Sequence, residues 1–582
     1  MNQHIAFWTK AQMRKQVAVI QGELAPSLVL TNATYLNTAL KKWVKANIWI
    51  LQDRIVYVGE KMPEHTTGTE ITDLEGKFVV PGYIEPHCHP FQLYNPQSLS
   101  RYALQRGTSV FLADNFMLLF EMNISKALSF MEDVNDLPSN FFWWCRYDAQ
   151  TELLEEENYF SEKSVRQLLE SPYVLQGGEL TSWPRVLHGD DTLLHWMLKT
   201  KKAGKKIEGH LPGASEKTLT AMTLLGVDCD HEAMTGTEVM DRLNAGLQVS
   251  LRYSSIRPDL PKLLRQMKEE GITNYERIFM TTDGSTPAFY EEGVTDKMLE
   301  IALEAGLDPV DAYMMVSYNV ARYYGLDHLF GMVAAGRVAH LNILDDVTNP
   351  LPESVLAKGK WMKRDGKDVS EDRDFQFDWE GHGIKKREIT WDLQDEDFQF
   401  SGLVGIEMYN SVITRPYNVS INPFSEEINE ESDECFLMLI DKEGKWRINT
   451  VVKGFAKNLY GFASSYSNTG DLLIIGKSKK DMAVAFERLK EVGGGIVLAE
   501  RGDIVAEIKL PLAGGMSNLS IEELVVEEKR LTSALRERGY QYEDPIYSLL
   551  FFSSTHLPYI RITQRGIYDV KKKGLLFPSI MR

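Results

Sequence analysis

The stretch Val79-Val80-Pro81-Gly82-Tyr83-Ile84-Glu85-Pro86-His87-Cys88-His89-Pro90 decides how the rest of the chain is read. It opens as an apolar run bounded by Pro and Gly, which reads as a buried strand, and it ends by presenting two imidazoles one residue apart. Alternate side chains of a strand share a face, so His87 and His89 point together and Cys88 points away. Two neutral imidazoles on one side of a strand end can grip a divalent ion such as zinc, iron or manganese. A lone His-X-His arises by chance often enough that the case rests on residues further along the chain.

Downstream, β-rich segments recur with helical segments between them, the pattern of a parallel sheet built from strand-helix units. The strand ends fall at Gly107 to Asp114, Phe141 to Asp148, Tyr173 to Glu179, Lys206 to His210, Gly226 to His231, Gln248 to Tyr253 and Arg277 to Asp283. With the opening strand they make eight, the count that closes a (β/α)8 barrel. Polar residues sit at the ends of these segments. In such a barrel His87, His89, Glu179, His210, His231 and Asp283 would meet at the C-terminal face, joined by Arg146 and Arg252. Each has a plainer reading: a histidine at a strand end is more often a hydrogen-bonded structural residue, and Glu179 and Asp283 could cap helices. The joint occurrence of six such residues in this order favours metal binding.

The flanks extend the picture. Short β-like runs lie before Pro81 (Leu28 to Ala33, Ala46 to Leu51, Arg54 to Gly59) and again after the barrel (Gly336 to Leu344, Val355 to Trp361). They are expected to form one discontinuous sheet. The predicted organisation is a composite β domain of residues 1–80 plus 330–375, taken as a small β-sandwich, a barrel over 81–329, and a C-terminal α+β domain over 400–582. Asp365 to Asp397, rich in charge, reads as a surface connection. Asp190 to Lys202 is expected to be a helix with Leu194, Met197 and Leu198 on its apolar face and lysines at its end. Ser478 starts a second helix carrying Met482, Ala485, Phe486 and Leu489 on one face, and Gly493 to Gly495 ends it.

At 582 residues and 66.3 kDa the chain needs more than one core. Its 43% hydrophobic and 25% charged content is that of an ordinary soluble protein. The net charge of -18, with no concentrated basic patch, argues against nucleic acid. Cys88, Cys145, Cys229 and Cys435 form no Cys-X-X-Cys pair, so reduced thiols in a cytoplasm are expected. Met1 to Gln16 lacks the continuous apolar core of a signal peptide, and no run approaches the roughly 20 apolar residues of a membrane span.

The run Pro81 to His89 resembles the signature of the amidohydrolase superfamily, as do Asn319-Val320-Ala321-Arg322 and Gly336-Arg337-Val338-Ala339-His340-Leu341. More narrowly, Gly209-His210-Leu211-Pro212-Gly213, Asp230-His231-Glu232 and several C-terminal stretches, Leu510 to Ser517 and Leu557-Pro558 among them, resemble the bacterial adenine deaminases. The resemblance implies a divalent pair held by His87, His89, Glu179, His210, His231 and Asp283, with Glu179 bridging. Manganese or ferrous iron is the metal it implies, whereas the residue types alone would also suit zinc.

It further implies a metal-activated water that attacks C6 of adenine, Asp283 as the base that carries its proton to the leaving amine, and a small purine base as the only partner besides copies of the chain. Glu232 is the candidate acid at the ring nitrogen, its plainer reading an outward residue on a strand end. Arg146 and Arg252 either hold substrate or pair with Glu179.

The sequence departs from the family's pattern at Asp114-Asn115-Phe116-Met117, where Asp-Pro-His-Glu is usual, and at Ser465-Tyr466-Ser467-Asn468, where Asp-Ser-His-Asn is usual. Hydrolysis of another cyclic amide or amidine is therefore the alternative. A metal-free scaffold, a third possibility, would be expected to have lost ligands, and all six are present.

Overall fold

The computed structural model describes residues 8–400 and 404–582. Part of the Met1 to Gln16 segment, and Gly402 with Leu403, therefore lie outside the described residues. At its centre is an eight-stranded parallel sheet in strictly sequential order: β1 (Tyr83–Cys88), β2 (Thr108–Ala113), β3 (Asn140–Cys145), β4 (Val174–Leu180), β5 (Lys206–Gly209), β6 (Cys229–Asp230), β7 (Gln248–Arg252) and β8 (Ile278–Thr281). Helices follow the strands, as a parallel sheet demands of its crossovers. The fold is a (β/α)8 barrel.

The seam between β8 and β1 is closed by side chains. The buried carboxylate of Glu85 accepts from the Thr281 hydroxyl at 2.6 Å and from the Thr282 amide and hydroxyl at 3.1 and 3.0 Å. It also accepts from the His87 amide at 3.2 Å, and Thr281 donates as well to the His87 carbonyl at 2.8 Å. Burial pushes the Glu85 carboxyl up to about 7 against the opposing pull of those donors.

The opening run is not one strand, as its composition suggested, but two strands in two sheets. Phe78–Pro81 belongs to the flanking sheet, and the barrel strand starts at Tyr83. Gly82 is the break: its amide donates to His340, and a Cβ there would run into the Ser109 side chain. Phe78–Pro81 pairs antiparallel with Leu341–Leu344 and parallel with Leu28–Asn37, so segments before and after the barrel join one nine-stranded sheet.

Asp191–Lys202 is helical and capped by Asp190, whose carboxylate accepts from the Thr192 and Leu193 amides. Its buried face is Leu193, Trp196, Met197 and Thr200; Leu198 is exposed. Met197 is thus buried and Leu194 half-buried, as expected, whereas Leu198 faces out and Trp196 and Thr200 complete the inner face, the Thr200 hydroxyl lying 2.5 Å from that of Tyr147. Lys479–Val492 starts where Ser478 accepts from Asp481 and stops at Gly493, whose φ of +78° suits a residue without Cβ.

C-terminal residues form a second nine-stranded sheet with helices Lys479–Val492 and Ile521–Glu537, plus a three-stranded sheet from Ile560 to Pro578. The apolar cluster that includes Phe116, Phe130 and Trp143 of the barrel is continuous with Leu437, Phe455 and Met516. Backbone bonds cross this junction, Ser517 N–H to the Leu93 carbonyl at 2.7 Å among them. The charged connection is not a surface strap: Phe375 and Ile384 are buried, and Arg387 donates to the Ala513 and Gly470 carbonyls and to Glu121. Its hydrophobic residues, outnumbered by charges, are what hold it down. Among the described residues, no helix is long and apolar enough to cross a membrane.

Candidate metal centre and active site

Parallel strands of a barrel end on one rim, so residues one step past a strand end converge whatever their distance along the chain. His87 lies on β1 with His89 just past it; Glu179 lies on β4; His210, His231 and Asp283 follow β5, β6 and β8. Asp283 Oδ1 lies 3.0 Å from His87 Nε2 and 3.4 Å from His89 Nε2. Glu179 Oε1 lies 2.5 Å from His210 Nδ1 and 3.4 Å from His231 Nε2. The two lobes touch: His87, His89 and Glu179 offer ligand atoms within 4.8 Å of one another, as do His87, His231 and Asp283, and Glu179, His210 and His231.

Both ring nitrogens of His87, Nδ1 of His210 and Nε2 of His231 are buried without a hydrogen-bond partner among the described residues. Buried imidazole nitrogens facing carboxylate oxygens in this way fit a pair of divalent cations. His87, His89, Glu179, His210, His231 and Asp283 are the residues that would hold it.

A surrounding layer aims these groups. Glu208, buried, accepts from His231 Nδ1 at 3.1 Å and lies 3.5 Å from His87 Nδ1, through the same oxygen. A carboxylate there holds the His231 proton on Nδ1 and leaves that ring's Nε2 free to bind metal, while the same oxygen faces the Nδ1 edge of His87. Asp114 does the same for His89, with Nδ1 at 3.0 Å.

Arg146, a candidate for substrate contact, is fully buried and takes the other possibility left open: it grips Asp114 with two nitrogens at 3.0 and 2.7 Å and reaches Glu179 Oε2 at 3.1 Å. Trp144 fills the interior against both it and the His87 ring. Asp283 has φ of +52°, a backbone region that costs a non-glycine about 1 kcal/mol or more. Thr281 Oγ1 accepts its amide at 3.1 Å, and Gly284 packs so closely on His89 that a Cβ would collide with it.

Over the cluster lies a cavity of about 380 Å³, in the range of small-molecule sites. The barrel gives it Phe91, Phe116, Met117 and Phe120, and the C-terminal residues give it Ser465 to Gly470, Tyr547, Leu550 and His556. Glu232 and Arg252 are on its wall. Arg252 donates to Glu232 Oε1 at 2.6 Å and to Asp283 Oδ2 at 2.7 Å, and Arg257 also binds Glu232. Burial alone would raise the Glu232 carboxyl, but His210 and the two arginines bring it down to about 2, so it rests as a carboxylate.

Burial, with His210 beside it, holds the His556 imidazole down at about 3, and the ring is neutral. At the two departures from the family pattern the structure puts Phe116 and Met117 on the cavity wall, and Tyr466 donates its hydroxyl to Gln92.

Five contributors escaped the sequence reading, Asp114 among them, which had entered only as the first residue of a divergent motif. Glu208 shares a strand face with His210 two residues on, so its acid was a legible signal. Gln150, which donates to Glu179 Oε2 at 3.1 Å, and Arg257 carried none. His556 is far from the barrel along the chain, beside a Leu-Pro that had marked only kinship.

The profile of the "Amidohydrolase family" matches residues 78–386, the span that carries the barrel and its candidate ligands. The chain belongs to the amidohydrolase family. A second profile, "Adenine deaminase C-terminal domain", matches residues 411–574, which places the chain in the adenine deaminase branch. Proteins named "Putative adenine deaminase" from Halalkalibacterium halodurans and Bacillus subtilis are 57% and 50% identical to it, over 99% and 100% of both chains. An "Adenine deaminase" of Kosmotoga olearia is 27% identical over 95% of this chain and 96% of its own.

Proposed function

We propose that the chain hydrolyses adenine to hypoxanthine and ammonia. The observation that carries this reading is the convergence of His87, His89, Glu179, His210, His231 and Asp283 beneath a cavity that residues of the adenine deaminase C-terminal domain help to wall. Full-length kinship to proteins bearing that name supports the substrate. When bound, the divalent pair, manganese or ferrous iron in this reading, supplies the Lewis acidity that lets water ionise near neutral pH.

The protein's own groups do the rest. Asp283 takes a proton from the attacking water and returns it to the departing amine, its Oδ2 steadied by Arg252. Glu232, a carboxylate at rest, takes the second proton of that water and passes it to the ring nitrogen, where it becomes the N–H of hypoxanthine, and Arg252 and Arg257 hold Glu232 in reach of the cavity. Arg252 presents the base, and Arg146 keeps Glu179 and Asp114 aimed. The C-terminal roof excludes water from the reacting centre. A free purine base, with neither nucleic acid nor membrane, and a cytoplasmic setting complete the reading.

A second reading, hydrolysis of another cyclic amide or amidine, is favoured by one observation: Phe116 and Met117 line the cavity where the family pattern has His and Glu. One experiment separates the two. Manganese-loaded protein is incubated with adenine and the ultraviolet change to hypoxanthine is followed, with a cyclic imide in parallel. Turnover of adenine that Asp283→Asn abolishes supports the first; turnover of the imide alone rejects it.

A further inference from the structure

The loop from Ser553 to Pro558 is built to hold one side chain. Asn468 donates to the Ser553 and Ser554 hydroxyls at 3.1 and 2.8 Å, and the Thr555 amide donates to the Gln150 carbonyl of the barrel at 2.8 Å. From the other side the fully buried guanidinium of Arg561 donates to the Pro558 carbonyl at 3.0 Å, to Phe551 at 2.7 Å and to Val412 at 2.9 Å. A loop tied at both ends gives its side chains fixed directions. Its histidine, His556, enters the cavity edge-on to His210, with ring centroids 5.1 Å apart. The Nδ1 of His556 is buried and has no hydrogen-bond partner among the described residues. Buried polar atoms are nearly always satisfied, so this orphan, in a side chain that lines the ligand cavity, marks a ring whose hydrogen bonding a ligand would complete.

We propose that His556 is a specificity-determining residue that the C-terminal domain contributes to the active site, hydrogen-bonding a ring nitrogen of the purine base beside the metal-facing His210. The inference rests on the adenine reading and extends it. An imidazole offers an N–H donor at its ring edge, and the unprotonated ring nitrogens of adenine are acceptors that lie in the plane of the base. A base held by its edge in this way is distinguished from an isostere with carbon in place of that nitrogen, because the imidazole is then left unpaired.

The test uses the full-length, metal-loaded protein. Affinity is read as KM for adenine and as the competitive inhibition constants of its 1-deaza, 3-deaza and 7-deaza analogues, in wild type, His556→Ala and His556→Asn, with metal content and kcat/KM alongside. The expected results are a loss of about ten- to hundredfold in adenine affinity in the Ala variant, partial recovery in the Asn variant and unchanged metal content. One deaza analogue should bind wild type and the Ala variant equally. Unchanged adenine affinity, or an equal loss on adenine and all three analogues, overturns the assignment while leaving adenine deamination standing. A wild type that neither binds nor deaminates adenine overturns the adenine reading and this assignment with it.

Discussion

Glu208 gives the sharpest handle on the metal centre, since one of its oxygens serves imidazoles from two strands. Exchange for Gln keeps the volume and an acceptor oxygen in place, and removes the charge. A hydrogen bond to a charged group contributes roughly 1.5–3 kcal/mol, against roughly 0.5–1.5 for a neutral one, so the loss is about 1.5 kcal/mol, close to tenfold in an equilibrium constant. Ala removes the acceptor altogether and frees the His87 and His231 rings to turn, which puts the cost at the upper end of the hundredfold expected for partners of metal-bound histidines. The assay titrates apo protein with Mn2+ against a competing fluorescent chelator and counts bound metal. The expected order of affinity is wild type, then Glu208→Gln about tenfold weaker, then Glu208→Ala about a hundredfold weaker. Equal affinity in all three, with folding intact by circular dichroism, would refute the claim that this carboxylate aims the two rings.

Three other outcomes are expected from the geometry. Arg146→Met leaves Asp114 and Glu179 buried without their cation and should destabilise the metal-free protein by about 3–5 kcal/mol in denaturant unfolding, with Glu179→Gln recovering part of it. Glu528 is buried under the loop after Asp283, and burial, reinforced by the charge of Asp544 and opposed by the Ala288 N–H, raises its carboxyl to about 8. The folded protein therefore holds this proton longer than the unfolded one, and stability falls as pH rises from the ordinary carboxyl range through 8. Glu528→Gln should match wild type near pH 4 and exceed it by about 2 kcal/mol or more at pH 8, read from unfolding midpoints. Removing metal by dialysis against a chelator should lower the thermal midpoint and abolish turnover, with both restored by Mn2+. An unchanged midpoint would argue that the cluster holds no ion.

The linear chain was informative where structure is local. A strand end is marked by the residues that form it, so eight β-rich segments with polar residues at their ends could be counted, and the order of His87, His89, Glu179, His210, His231 and Asp283 read off. The Ser478 cap and the Gly493 stop were legible for the same reason. Local composition misled where a neighbour decided the outcome. Gly82 splits an apolar run because the Ser109 side chain occupies the space of its missing Cβ, and the connection between the domains is pinned by a few apolar residues and Arg387 in spite of its charges.

The partners of the ligands belong wholly to the tertiary structure. That Glu208 serves two rings, that Arg146 ties Asp114 to Glu179, and that His556 reaches His210 across hundreds of residues all depend on barrel closure and on the seating of the C-terminal sheet. Side-chain type and periodicity reveal which face of an element is buried. Which atoms then meet is decided when the strands share one rim, because only packing brings together charges and donors that the chain holds far apart.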